Sequence, residues 1–252
     1  DGYDRESEDR ETVRMTKWIK GFIYIFILVT GSIAGAGLLI MDGVLTDLLN
    51  PVILSEDSPE AIIPDDLNAQ VMKVRIEEDV YARGYYVDVP DSEFVVLFSH
   101  DCNGNMFHRF ELMRHFIDLE VSVMAVDFRG FGLSDEVEIS DEAFHKDLEK
   151  IFSATRRKKW SSSRIIVYGQ GIGAGIQGNL VKKNQCALWI LDNPIPSLSD
   201  STDSAIGKFL TVDRLSVYPA LEEAKTPILV CYDENMVSEE VIGKLKENSP
   251  DS

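Results

Sequence analysis

The chain has 252 residues, 44% of them hydrophobic and 27% charged, which suits one sizeable globular domain plus an appendage. Its formal net charge is −18, and a surface that acidic repels phosphates, so nucleic acid is excluded as a partner. The surplus is read as solvated surface that serves solubility or meets a basic protein neighbour. Cys102, Cys186 and Cys231 are odd in number and far apart, which excludes a disulfide framework and a zinc spacing.

Residues 1–16, "DGYDRESEDRETVRMT", mix both charge signs and cannot bury enough surface to fold alone. A start at Asp rather than Met fits a processed or partial chain. Residues 17–41 are read as a membrane helix. The stretch from Gly21 to Met41 carries no charge, and at about 1.5 Å per residue it covers a hydrocarbon layer of roughly 30 Å. Lys17 and Lys20, with Arg10 and Arg14 upstream, flank its start, and no basic residue follows its end closely. That asymmetry puts the N-terminus on the cytoplasmic or matrix side and the remainder across the membrane. Gly31 and Gly35 form a G-x-x-x-G face on which another membrane helix can pack closely.

Residues 42–66, with several Pro, Asp and Ser, read as a linker or a wrap over the membrane surface. Residues 67–252 alternate strands and helices. "AQVMKVRIEE" and "ARGYYVDVP" predict a hairpin, "EFVVLFSH" a buried strand and "MFHRFELMRHFIDL" a helix. "VSVMAVDF" predicts a strand, "DEAFHKDLEKIFSATRRKK" a helix, "RIIVYG" a strand and "AGIQGNLVKKN" a helix. "ALWILDN" and "TPILVCYDE" predict two more strands, and "SEEVIGKLKEN" a last helix. The order implies an α/β fold with a mostly parallel sheet covered on both faces.

Three stretches carry a resemblance: "FSHDCNGNMFHR", "VDFRGFGLSD" and "YGQGIGAG". In this order they resemble the α/β-hydrolase superfamily, in its membrane-anchored, bud-emergence-suppressor-like branch. The resemblance spans roughly residues 67–240. It implies an α/β-hydrolase sheet behind one N-terminal membrane helix. It also implies an oxyanion loop at His100 and Asp101, a nucleophile turn at Gly169, Gly171 and Gly173, and an acid at Asp233 or Glu234.

The chemistry that the resemblance implies is then missing its parts. Ester hydrolysis on this fold needs G-x-S-x-G, an exposed nucleophile on a tight strand-to-helix turn. Gly171 holds the nucleophile position and has no side chain. The base would be a histidine late in the chain, whereas His100, His108, His115 and His145 all precede the turn. The chain stops one helix after "PILVCYDE", where the family adds a further strand and the histidine loop, so the C-terminal part of the family fold is expected to be missing. The family's loop glycine is Asp101 here, and a carboxylate at that place opposes a developing oxyanion.

The sequence therefore predicts a hydrolase scaffold without hydrolase chemistry, with no cofactor and no metal. It would act as a structural or accessory subunit of a membrane protein complex, in a mitochondrial inner membrane or an endomembrane. Its partners would be other membrane subunits and the lipid bilayer. Two alternatives stay open. One is an active acyl esterase or thioesterase with an unconventional mechanism. The other is a dinucleotide-binding module on Gly169, Gly171 and Ala174, with Asp192 facing a ribose.

Overall fold

A computed structural model describes residues 49, 53–54, 62–197, 215–233 and 239–247. The apolar stretch 17–41 with Gly31 and Gly35, and Glu234 near the other end, lie outside the described residues. Among the described residues no helix is long and apolar enough to cross a membrane.

Among the described residues, seven strands form one sheet. β1 (Gln70–Glu77) and β2 (Val80–Val87) make the predicted hairpin, closed at Glu78 and Asp79. β3 (Val95–Ser99) leads through a 3-10 turn at Met106–Arg109 into α1 (Phe110–Asp118) and then β4 (Ser122–Val126). α2 (Asp141–Lys158), β5 (Ile165–Gln170), α3 (Ile172–Lys183) and β6 (Leu188–Asp192) follow. α4 (Tyr218–Glu223), β7 (Ile228–Cys231) and α5 (Glu239–Glu247) complete the described elements. The strand order is β1-β2-β4-β3-β5-β6-β7. β2 pairs antiparallel with β1 and β4, and the other pairings are parallel.

β3 and β4 are buried along their whole length and β5 nearly so, which is why they read as continuous apolar runs, whereas β7 at the sheet edge alternates half-buried and exposed residues. Val95, Leu97, Val167 and Trp189 face one core layer with Phe144, Leu148 and Ile151 of α2 and Ile176 and Leu180 of α3. Val96, Phe98, Val123 and Tyr168 face the other, with Met113 and Phe116 of α1. Leu49 also sits in the first layer, and the Leu54 amide donates to the Gly132 carbonyl at 2.7 Å. Part of the stretch read as a linker thus belongs to the folded unit: Leu49 is buried and Ile63 packs against the second layer, while Ile53 and Ile62 stay exposed.

α2 shows how local signals agree. The Ser140 hydroxyl accepts from the Ala143 amide at 3.2 Å, Asp141 and Glu142 occupy the first turn, and Arg156, Arg157 and Lys158 the last. Each end thus carries the charge that its helix dipole favours. Arg129, after β4, ties this helix to the sheet. Its Nε and Nη2 reach both carboxylate oxygens of buried Asp147 at 2.6 and 2.7 Å, and Nη2 also reaches Glu77 at 2.6 Å.

Candidate functional site

β3 lies between β4 and β5, and the connection after β3 crosses one face of the sheet while the connection after β5 crosses the other. In open parallel sheets such a switch point, at the carboxyl ends of the strands, is where ligands sit. The loops after β3 and β5 bring His100, Asp101 and Gly171 together there.

Gly171 is the cap residue between β5 and α3, with φ 55° and ψ −120°. That backbone is strained for any residue with a Cβ. Its amide donates to the Asp192 carbonyl at 2.9 Å, and its carbonyl accepts from the Ile195 amide at 3.2 Å, so the turn is held from both sides. The flanking glycines serve close approach. A Cβ on Gly169 would lie 2.5 Å from the Ala174 Cα, and one on Gly173 2.4 Å from the Ser99 carbonyl oxygen.

Asp101 meets this turn directly. Its Oδ1 accepts from its neighbour's amide, Cys102 N, at 2.8 Å and from Ile172 N at 3.3 Å. A Cβ built on Gly171 would lie 2.2 Å from the same oxygen. The sequence places a carboxylate beside the site; the structure puts it inside. In hydrolases of this fold, the amide after the nucleophile and one from the loop after β3 form the oxyanion hole. The carboxylate of Asp101 accepts from amides at those two positions.

Other polar groups line the rim. Arg109 Nε donates to Gln170 Oε1 at 2.7 Å, and Gln170 Nε2 to Asp192 Oδ2 at 3.1 Å. The Tyr168 hydroxyl donates to the same Asp192 oxygen at 2.7 Å, and Asn193 Nδ2 to the other at 3.0 Å. A dinucleotide would need Asp192 for a ribose and the start of α3 for a pyrophosphate. Asp192 is committed to three protein donors, and Asp101 holds a carboxylate at the start of α3.

His100 is buried beneath the loop, against Phe128 and Phe131. Its Nδ1 lies 2.7 Å from the Asp101 carbonyl oxygen; a carbonyl only accepts, so Nδ1 carries the proton. Burial lowers the imidazole to about 4. Burial raises the Cys102 thiol to about 12, with the Asp101 charge adding to the effect. Asp233 follows β7 and is exposed, its amide donating to Asn193 Oδ1 at 2.7 Å. His108 and His145 are not part of the turn. His108 Nδ1 accepts from the Asn105 amide at 3.3 Å, and His145 Nδ1 lies 2.9 Å from the Ile176 carbonyl. Among the described residues no group of three or more His, Cys, Asp or Glu is placed to hold a metal ion.

Sequence reasoning did not pair Asp127 with His100. Asp127 lies wholly buried, its Oδ1 3.5 Å from His100 Nε2 and accepting from the Met106 amide at 2.8 Å. The signal was present in part, since Asp127 opens the "DFRGFG" signature.

The comparisons agree with this architecture. The family described as "Serine aminopeptidase, S33" matches residues 90–237, more than half of the chain. The chain belongs to this α/β-hydrolase family. Protein bem46 of Schizosaccharomyces pombe is 28% identical over 163 residues, covering 61% of this chain and 54% of its own. Alpha/beta hydrolase domain-containing protein 17C of Homo sapiens is 26% identical over 148 residues, covering 57% of this chain and 44% of its own. Alpha/beta hydrolase domain-containing protein WAV2 of Arabidopsis thaliana is 30% identical over 109 residues, covering 42% and 35%. These relatives agree with the branch whose motifs the sequence resembles, and the chain spans about half or less of their length.

Two solved structures share the fold. An α/β hydrolase from Vibrio vulnificus matches with a TM-score of 0.64 at 24% identity, over 73% of this chain and 70% of its own. The Pyrococcus furiosus esterase Pf2001 matches with a TM-score of 0.61 at 17% identity, over 79% and 82%.

Proposed function

We infer that this chain is a catalytically inactive member of its family, acting as a structural or accessory subunit of a membrane protein complex. The observation that carries the reading is residue 171. It lies at the apex of the turn between β5 and α3, where this fold presents its nucleophile, and it is glycine. An acyl-enzyme cannot form on a residue with no side chain. Residues 169–173, Gly-Gln-Gly-Ile-Gly, offer no Ser, Thr or Cys instead. The nearby thiol of Cys102 is raised to about 12, far from the thiolate that attack requires.

The membrane role rests on the apolar stretch 17–41 with its Gly31 and Gly35 face. The mitochondrial inner membrane and an endomembrane are the two compartments this reading allows. Extraction in mild detergent followed by native mass spectrometry tests the subunit role, and turnover of acyl esters and thioesters tests the loss of chemistry. The expected result is a stoichiometric complex without turnover above heat-inactivated protein. A lone monomer would contradict the subunit role, and turnover would contradict the inactivity.

A further inference from the structure

We propose that Asp101 is a built-in anionic ligand, its carboxylate filling the two-amide anion site that this fold otherwise presents to a substrate. The side chain enters from the loop after β3, and Oδ1 takes both the Cys102 and the Ile172 amides, at 2.8 and 3.3 Å. The Ile172 amide opens α3, a helix running Ile172–Lys183, whose N-terminal dipole also favours negative charge.

The occupancy depends on residue 171. A Cβ there would lie 2.2 Å from Asp101 Oδ1, 2.5 Å from its Cγ and 3.1 Å from its Cβ. The overlap involves the body of the side chain as well as its tip, so a small rotation does not relieve it. A side chain at 171 and a carboxylate at 101 therefore exclude one another. One position carries a carboxylate and the other has no side chain.

Two consequences follow for the chain in detergent. Gly171→Ala brings backbone strain in any background, but the collision only when Asp101 is present. The Asp101→Gly change removes the collision and frees two amides for a small external carboxylate. The inference concerns the same turn as the inactive reading but does not depend on it. A chain that hydrolysed esters by another route would still carry this carboxylate in its amide pair.

The test compares the wild-type chain, D101G, G171A and the double variant by urea unfolding, with D101A in place of D101G if the glycine variant does not fold. Non-additivity between touching residues is expected to make the G171A loss in folding equilibrium constant about tenfold smaller in the D101G background than in wild type. Equal losses in both backgrounds would overturn the proposal. Acetate, titrated against chloride at matched ionic strength, should raise the Tm of D101G and leave wild type unmoved. An equal response in both proteins, or none in D101G, would overturn it as well.

Discussion

The imidazole of His100 and the carboxyl of Asp127 face each other in the core, Nε2 to Oδ1 at 3.5 Å, with neither side chain exposed to solvent. Because Nδ1 donates to the Asp101 carbonyl, Nε2 presents a lone pair to Asp127. Two facing lone pairs repel, so the pair is stable when the carboxyl holds a proton. Burial lowers His100 to about 4 and raises Asp127 to about 7, the latter against the pull of the Met106 and Leu133 amides. Folding thus moves a proton from imidazole to carboxyl across the window between those values. The expected nitrogen-15 NMR spectrum shows a neutral, Nδ1-protonated His100 from pH 5 to 6.5. An imidazolium signal there would contradict the assignment.

The pair also sets opposing slopes of stability with pH. His100 has a depressed value when folded, so the unfolded chain takes the proton first and stability falls as pH drops from about 6.5 to about 4. Asp127 has a raised value when folded, so its contribution is complete below 3.8 and is lost as pH rises towards about 7. Between pH 4 and 6.5 the two slopes largely cancel. Asp127→Asn keeps the shape and, with its amide oxygen in the place of Oδ1, the hydrogen bond from the Met106 amide, but does not titrate. Urea unfolding of D127N should therefore show the His100 slope alone, a loss on the order of 3 kcal/mol between pH 6.5 and 4. A pH profile parallel to wild type would show that the two groups are not linked in this way.

Arg129 and Asp147 form a buried, two-pronged ion pair at 2.6 and 2.7 Å. Removing one partner strands a charge in the core, so Arg129→Ala should cost about 3–5 kcal/mol in urea unfolding. Replacing both residues with apolar side chains of similar volume should recover much of that. A cost for R129A below about 1 kcal/mol would mean that the pair does not hold α2 to the sheet.

Gly173 allows α3 to approach the end of β3, where a Cβ would meet the Ser99 and His100 carbonyl oxygens at 2.4 and 2.7 Å. Gly173→Ala should destabilise by about 1–3 kcal/mol through overpacking. Among the described residues no atom lies within 4 Å of such a Cβ on Gly243, so Gly243→Ala in α5 should be neutral or slightly stabilising. Thermal unfolding of the two variants side by side checks the contrast, and equal shifts would contradict it.

Much of this architecture was legible in the residues themselves. The buried strands announced themselves as short apolar runs, and α2 by its Ser140 cap, apolar face and basic end. α4 went unseen because six residues, Tyr218–Glu223, are too few for helical periodicity to register. Leu49 was hidden because Pro, Asp and Ser across residues 42–66 make the stretch read as a linker despite the apolar residues beside it. At the site, the glycines of the turn and the odd Asp101 were both visible, yet their contact was not. Seventy positions separate them in the chain, and only the sheet order β4-β3-β5 makes their loops neighbours. The clue was chemical: no side chain where the resembled motif has a serine, and a carboxylate where it has a glycine.

A fluorophosphonate probe gives the sharpest test of whether the turn at Gly171 is inert, because it reports an activated nucleophile without requiring the natural substrate to be known. Incubated with the intact, detergent-extracted chain beside a heat-inactivated control, it is predicted to leave no adduct above background. A stoichiometric adduct on the native protein alone, mapped by peptide mass spectrometry to a residue in the loops around Gly171, would contradict the account.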